Sequence, residues 1–135
     1  MRDIHQATRA YEAWLREQVP VVERELRRKH EAMRESALAF LRATYYRWAE
    51  TWPHECPELM DAPVVLAVGD LHIENFGTWR DAEGRLAWGV NDFDEASPLP
   101  YAHDLVRLAA SAILAVREGR LCVTDPDVWP ALMDG

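Results

Sequence analysis

Two clusters of acidic and amide side chains in the middle of the chain carry the groups best suited to chemistry. The first cluster follows an apolar run at residues 64–68 and contains Asp70, His72, Glu74 and Asn75. The second cluster follows another apolar segment, residues 85–90, and contains Asn91, Asp92 and Asp94. Crowded carboxylates repel one another unless a cation or a proton compensates them. The spacing therefore predicts a site where acidic oxygens hold a divalent cation or exchange a proton.

The segments around these clusters predict the elements that position them. Residues 64–68, 76–80 and 85–90 are expected to form a small antiparallel sheet, and residues 81–84 suit a tight hairpin turn with glycine at a positive φ. A helix over residues 101–118 follows. Its predicted buried face comprises Leu105, Leu108, Ala109, Ala112, Ile113 and Val116. This helix is expected to pack on the sheet, because each has one apolar face.

The N-terminal segment, residues 1–50, is predicted to be helical. A short helix is expected over residues 5–18, and a single long amphipathic helix over residues 21–50. Residues 51–63 contain prolines and no periodicity, which predicts a loop. The fold class is therefore α+β: a long N-terminal helix, a small antiparallel sheet with a hairpin, and a packed C-terminal helix. Residues 64–118 form its motif-bearing core.

Composition limits the classes of partner and compartment. The chain has 135 residues and a net charge of −8, and residues 50–104 hold twelve of the acidic side chains against two basic ones. Such a surface does not suit nucleic acid, which needs clustered Lys and Arg. No apolar run approaches the ~18 residues of a membrane span. Cys56 and Cys122 lack metal-site spacing and are expected to be reduced thiols. A cytoplasmic protein is the expectation.

The interval from Asp70 to Asn75 is the D-x-x-x-x-N spacing of the protein kinase catalytic loop. In that loop the Asp accepts the proton of the substrate hydroxyl and the Asn holds a metal ion. Asp92 ends the next strand, where a kinase-like site places a carboxylate that binds Mg²⁺. From the residues alone two interpretations stay open: a metal site for phosphoryl transfer, and a structural cluster of capping acids at strand ends.

Three longer stretches resemble a known bacterial family. The sequences KHEAMRESALAFLR, GDLHIENFGTW and NDFDEASPLPYAHDLVRLAAS are similar to the family called domain of unknown function 2252, a member of the kinase-like superfamily. The first part of the second stretch also resembles the Gly-Asp-x-His-x-x-Asn signature of aminoglycoside and choline phosphotransferases. The resemblance covers roughly residues 24–118. It implies that residues 1–135 form a single, partial protein-kinase-like domain.

The resemblance implies a role for each matching residue of the two clusters. Asp70 would be the catalytic base. Asn75 and Asp92 would be metal ligands, with Asp94 as an auxiliary acid at the same metal. The implied cofactors are Mg²⁺, or Mn²⁺, together with ATP.

Other residues are expected to support the site or to contact phosphate. Asp104 matches the helix-start Asp that braces the catalytic loop in such kinases. His72 is expected to brace the loop as well, with metal binding or acid–base chemistry as the alternative. Lys29 and Arg42 are candidates for phosphate contacts. The chain departs from the wider pattern at Val68, where the aminoglycoside enzymes usually have His, and it has no glycine-rich phosphate loop.

The leading hypothesis is thus a kinase-like phosphotransferase module that acts on a nucleotide and a phosphoryl acceptor. A non-catalytic or truncated kinase-like binding protein is the alternative, because the chain is about half the size of a complete kinase-like fold. A metal-dependent phosphoesterase is disfavoured by the shortage of histidines. We expect poor nucleotide binding by this chain alone, and self-association or a complementing chain. We also expect Asp70→Asn to abolish turnover while leaving the fold intact.

Overall fold

The computed structural model describes residues 2–134, which fall into two compact units. The first unit ends at Pro57 and contains α1 (Ile4–Gln18), α2 (Glu23–Glu35), α3 (Ala37–Ala43) and α4 (Tyr45–Glu55). The second unit begins at Glu58 and contains β1 (Val64–Ala67), β2 (Phe76–Arg80), β3 (Leu86–Val90), β4 (Ser97–Pro100), α5 (Tyr101–Arg117) and α6 (Asp125–Asp134). Short 3-10 turns span Pro57–Leu59 and Ile73–Asn75. The predicted α+β class is confirmed.

The first helix begins where its sequence provides a cap. The Asp3 carboxylate accepts a hydrogen bond from the Gln6 backbone N–H at 2.8 Å, and the Gln6 side chain accepts one from the Asp3 N–H at 3.1 Å. This reciprocal capping box satisfies two N–H groups that a helix start otherwise leaves open. The apolar core of the first unit includes Ala7, Leu26, Leu38 and Trp52. One buried side chain thus comes from each of its four helices.

The single long helix expected over residues 21–50 is only partly matched, because this region is helical but is divided into three helices, α2, α3 and α4. Ser36 adopts an extended conformation, and its Oγ accepts a hydrogen bond from the Ala39 N–H at 3.0 Å, so it ends α2 and caps α3. Thr44 ends α3, and its hydroxyl donates to the Phe40 carbonyl at 2.7 Å. Both hydroxyls form local hydrogen bonds that compete with a continuous helix.

The loop expected over residues 51–63 is also partly wrong. Helix α4 continues to Glu55 and includes Pro53. The hydroxyl of Thr51 donates to the Arg47 carbonyl at 2.9 Å, one turn earlier in the same helix. The helix therefore ends later than the proline signal predicted.

The hairpin forms as predicted. Strands β2 and β3 pair antiparallel, with Thr78 opposite Trp88. Gly84 in the turn has φ of 80°, a conformation that glycine adopts without steric cost. Asp81 stabilises the turn, because its Oδ1 accepts hydrogen bonds from the N–H groups of Glu83 and Arg85 at 3.0 and 2.8 Å.

The expected three-stranded sheet is replaced by two sheets of two strands. Strand β1 does not pair with the hairpin but with β4, antiparallel, with Val65 opposite Leu99. Strand β4 contains two prolines, which lack the N–H that a sheet ladder uses, and such a strand is tolerated at the edge of a sheet. Strand β1 is largely open to solvent, since Val64 is 65% and Leu66 80% exposed.

Helix α5 is the central element of the second unit and contacts β1, β4, α6 and the 3-10 turn before β2. Its fully buried residues include Leu108, Ala109 and Ala112 of the predicted face. Three aromatic side chains of the second unit, Trp79, Trp88 and Phe93, are exposed. In the described residues, no helix is long and apolar enough to span a bilayer. Within the described residues, Cys56 and Cys122 form no disulfide bond.

Candidate functional site

The chain between β1 and β2, residues 68–75, forms the loop that contains the first cluster; we call it the Asp70 loop. It leaves the strand through Gly69, whose φ of 85° allows a turn that other residues rarely adopt. It ends in the 3-10 turn Ile73–Asn75, which leads directly into β2. The loop is held from one side by α5, through side chains of three successive turns of that helix.

Asp104 holds the start of the loop. Its Oδ2 accepts a hydrogen bond from the Val68 N–H at 2.7 Å, and its Oδ1 accepts one from the Gly69 N–H at 3.0 Å. His103 Nδ1 lies 3.3 Å from the same Oδ1. Burial by itself raises the pKa of the Asp104 carboxyl. These hydrogen bonds and the nearby imidazole together lower it by more, so the net pKa lies below its ordinary value.

Arg107 holds the carboxylate of Asp70. Its Nε donates to Asp70 Oδ1 at 2.7 Å, and its Nη2 donates to the same oxygen. The Arg107 side chain has no exposed surface, whereas that of Asp70 is 22% exposed. The buried guanidinium therefore fixes the orientation of the carboxylate, and the carboxylate offsets the charge of the guanidinium.

Ser111 holds the middle of the loop. Its Oγ accepts a hydrogen bond from the Ile73 N–H at 2.9 Å and donates to the Leu108 carbonyl at 2.7 Å. His103, Arg107 and Ser111 are each at most 1% exposed and lie four residues apart on α5. They form a polar stripe on the buried face of the helix. The sequence reading missed Arg107 and Ser111, although polar residues at this spacing within an apolar helix were the available signal.

Asn75 closes the loop onto Asp70. Its Nδ2 donates to the Asp70 backbone carbonyl at 2.7 Å, and the residue is only 5% exposed. The backbone carbonyl of Asn75 accepts a hydrogen bond from the Asn91 backbone N–H at 3.1 Å. The Asn91 amide also lies over Gly77, where a Cβ would come within 2.6 Å of its Nδ2. The end of β3 is therefore fixed beside the end of the Asp70 loop.

Asp70 and the carboxylates of the second cluster, Asp92 and Asp94, act electrostatically on the same carboxyl, that of Glu95. Asp92 accepts a hydrogen bond from the Asp94 N–H at 3.2 Å, and both residues are exposed. Burial raises the pKa of the Glu95 carboxyl, and the negative charges of Asp70, Asp94 and Asp92 raise it further, against the opposing effect of Arg107. Glu95 was not singled out in the sequence analysis, yet it experiences the field of the whole acidic site.

Other candidate residues are placed as follows. His72 is buried, with 3% exposure, and its backbone carbonyl accepts a hydrogen bond from the Asn75 N–H at 2.9 Å. Lys29 and Arg42 lie in the first unit, on α2 and α3. The Lys29 ammonium is 5.4 Å from the centre of the Tyr11 ring. The role of His72 as a loop brace and the roles of Lys29 and Arg42 as phosphate contacts stay predictions.

The imidazole, thiol and carboxylate groups of the described residues do not cluster into a metal site by themselves. Within residues 2–134, no three side chains of His, Cys, Asp or Glu lie close enough together to hold a metal ion. The amide oxygen of Asn75 is a further ligand of the oxygen type. A cation at this site would therefore rely on Asn75, on one or two carboxylates and on oxygens from a ligand, which is the habit of Mg²⁺ in phosphoryl-transfer sites.

Comparisons with known proteins identify a family and nothing closer. The family described as "Uncharacterized protein conserved in bacteria (DUF2252)" matches residues 21–126, a range that includes the Asp70 loop, the hairpin and α5. No curated protein matches the chain, and no solved structure matches it.

Proposed function

The chain belongs to the DUF2252 family, and we propose that its second unit is a kinase-like phosphotransferase module built on the Asp70 loop. The observation that carries the proposal is the hydrogen bond from the Asn75 amide to the Asp70 carbonyl at 2.7 Å. It joins the two ends of the D-x-x-x-x-N spacing, so that the proposed catalytic base and the proposed metal-binding amide belong to one closed loop. A purely structural capping role requires no such closure.

Asp70 is the proposed proton acceptor. Its carboxylate is held in one orientation by Arg107, and a fixed carboxylate beside a substrate hydroxyl is the base that phosphoryl transfer of this type uses. Asp104 and Ser111 keep the backbone around Asp70 in place through the hydrogen bonds to residues 68, 69 and 73. Their role is positioning, because they act on the loop rather than on the substrate.

Asn75, Asp92 and Asp94 are the proposed ligands of Mg²⁺ or Mn²⁺. The donor set fits such ions, which prefer oxygen ligands. The Asn75 amide donates through Nδ2 to the Asp70 carbonyl, and within the described residues its Oδ1 accepts no hydrogen bond, so that oxygen can serve as a ligand. Burial and then the negative charges of Asp70, Asp94 and Asp92 raise the pKa of the Glu95 carboxyl, and the negative field of these three carboxylates favours a divalent cation. A bound Mg²⁺ would neutralise the phosphate charge of ATP at this position.

One test of this proposal compares Mn²⁺ binding by the wild type and by Asp92→Asn. Loss of a residue that hydrogen-bonds to a metal ligand typically lowers metal affinity by about tenfold or more. Loss of a direct ligand should lower the affinity by at least as much, so we expect Asp92→Asn to weaken Mn²⁺ binding at least about tenfold. Asp61→Asn is the matched control: it removes one charge from an exposed residue of the same unit that forms no hydrogen bond among the described residues. Equal Mn²⁺ affinities for the two variants would remove Asp92 from the site. Paramagnetic resonance of Mn²⁺ gives the affinity directly.

A non-catalytic kinase-like binding module is the second candidate, and the Arg107 contact favours it. Two N–H groups of one guanidinium on Asp70 Oδ1 stabilise the charged carboxylate and so weaken it as a base. Turnover of ATP in the presence of Mg²⁺ separates the two candidates. Turnover that is lost in Asp70→Asn supports the phosphotransferase, whereas Mn²⁺ binding without turnover supports the binding module.

A further inference from the structure

We propose that the first unit carries a binding site for a small organic anion. The site is a cavity of about 320 Å³ formed by residues of α1, α2 and α3. This volume falls at the lower end of the range typical of small-molecule pockets. The cavity belongs to the helical unit, whereas the Asp70 loop belongs to the second unit, so this site would be an additional one.

Two arginines supply the positive charge of the cavity. Arg9 on α1 and Arg34 on α2 both line it. Both residues are exposed, and neither side chain forms an ion pair or a hydrogen bond within residues 2–134, although the chain has a net charge of −8 and so offers many carboxylates. Two uncompensated guanidiniums at one cavity favour an anion, and each can donate two parallel hydrogen bonds to a carboxylate or a phosphate. His5 on α1 and His30 on α2 also line the cavity.

The one carboxylate in the lining does not cancel this charge, because it is already engaged. Glu12 Oε1 lies 2.6 Å from His30 Nε2, and Glu12 Oε2 lies 3.8 Å from Arg16 Nη1. The Glu12 side chain is only 13% exposed. Its hydrogen bond to His30 and its ion pair with Arg16 therefore offset its charge locally, which leaves Arg9 and Arg34 to face a ligand.

An apolar wall completes the cavity. This wall consists of the side chains of Met33 and Phe40, and Phe40 is 37% exposed. An aromatic ring left in contact with water gains free energy when an apolar group covers it. The lining thus suits an amphipathic ligand: an anionic head between the two arginines, and an aromatic or aliphatic body against Phe40. The chemical class is a carboxylate or a phosphate monoester with an apolar group.

Isothermal calorimetry with simple probes tests the class. Phenyl phosphate and benzoate carry the two possible heads on an apolar body, inorganic phosphate lacks the body, and benzylamine has the opposite charge. We expect saturable one-to-one binding of phenyl phosphate, of benzoate or of both, weaker binding of inorganic phosphate, and none of benzylamine. Lack of saturation by both phenyl phosphate and benzoate at millimolar concentration would overturn the proposal, as would equal binding of benzylamine.

Arginine variants locate the site. Arg9→Gln and Arg34→Gln should each weaken binding by about tenfold or more, since each removes a charge-assisted hydrogen bond. Arg28→Gln is the matched control, because Arg28 lies on α2, pairs with Glu25 at 3.5 Å and does not line the cavity. Circular dichroism melting of all three variants checks that the helices remain folded. If Arg28→Gln weakens binding as much as the other two, the probes bind elsewhere and the proposal is wrong.

Discussion

The guanidinium of Arg107 is fully buried, and its charge is offset by the Asp70 carboxylate. Removal of a charge from water is costly, so such a pair contributes little net stability against an apolar replacement of both residues. Loss of one partner is different, because the remaining charge loses the opposite charge that offsets it in this pair. Stability of the second unit should therefore depend on the two residues jointly.

The ion pair predicts non-additive effects of substitution. Arg107→Met should lower the free energy of unfolding by about 3–5 kcal/mol, and Asp70→Asn should also lower it, because a neutral amide compensates the guanidinium poorly. The double variant should lose less than the sum of the single losses. Urea unfolding of the four proteins measures the coupling. The earlier expectation that Asp70→Asn leaves the fold intact is accordingly revised to a loss of stability.

An exposed ion pair provides the control for this comparison. Arg85 pairs with Asp81 at 2.7 Å in the hairpin turn, and the Arg85 side chain is 73% exposed. Arg85→Met should cost about 0–1 kcal/mol. If Arg107→Met costs no more than Arg85→Met, then burial of the Arg107 charge has been misjudged.

Asp104 predicts the acid limb of stability. Its pKa in the folded protein lies below its ordinary value, so the unfolded chain takes up the proton first as pH falls. The stabilisation is present above the ordinary value of 3.8, and it is lost as pH falls through the folded pKa. Asp104→Asn should reduce stability near neutral pH and flatten its dependence on acid pH. Urea unfolding at several pH values checks this. An unchanged acid slope in the variant would assign the acid limb to other carboxylates.

At the level of elements, hydrophobic periodicity predicted where helices occur but not where they end. Apolar residues keep helical spacing across Ser36 and Thr44, so the sequence pattern joins three helices into one. Ser and Thr are tolerated inside a helix although they are favoured at its caps, so their presence alone does not mark a helix end. The choice depends on how neighbouring helices pack, and single-sequence patterns do not contain that information.

The same limit applies to β4 and to α5. The pairing of β1 with β4 joins residues that lie far apart in sequence, and prolines mask the strand signal in Ser97–Pro100. Helix α5 was predicted from its apolar face, yet Arg107 and Ser111 lie on the buried side because their partners, Asp70 and Ile73, come from a distant loop. The motif residues were found because their spacing is local. Arg107 and Ser111 were missed because their contacts are long-range, whereas Asp104 was expected only from the family resemblance.

Ser36 predicts the cost of the helix break. Ser36→Ala removes the cap of α3 and should lower the free energy of unfolding by about 1 kcal/mol. Ser36→Asp keeps an acceptor for the Ala39 N–H and should retain most of the stability. Urea unfolding compares the two variants. Equal stability of Ser36→Ala and the wild type would indicate that the break does not depend on the cap and that packing alone imposes it.

At the level of the whole molecule, the second unit exposes an unusual amount of apolar strand. Strand β1 pairs with only one strand in the described part of the chain, and Val64 and Leu66 on one of its faces are largely exposed. Open edges and apolar faces of this kind promote association between chains. The expectation of self-association or of a complementing chain therefore has a defined location.

Leu66 tests this location. Leu66→Lys should reduce self-association of the protein, because a charge on an exposed edge strand disfavours docking, and it should cost little stability at 80% exposure. Val22→Lys is the control, since Val22 is 59% exposed and lies in the first unit. Sedimentation velocity over a range of concentrations measures the effect. Identical sedimentation of Leu66→Lys and wild type would exclude β1 as the contact.

The contacts of α5 also limit which changes of chain length the protein tolerates. Asp104, Arg107 and Ser111 meet residues 68–69, 70 and 73 in the same order, so loop and helix run side by side over roughly 10 Å of helical rise. One residue inserted between Asp104 and Ser111 would rotate the rest of the helix by about 100° and separate the later pairs together. The turn at residues 81–84 has no such tie to α5. Over evolutionary time, insertions should accumulate in the hairpin turn, while the loop and this part of α5 keep their lengths.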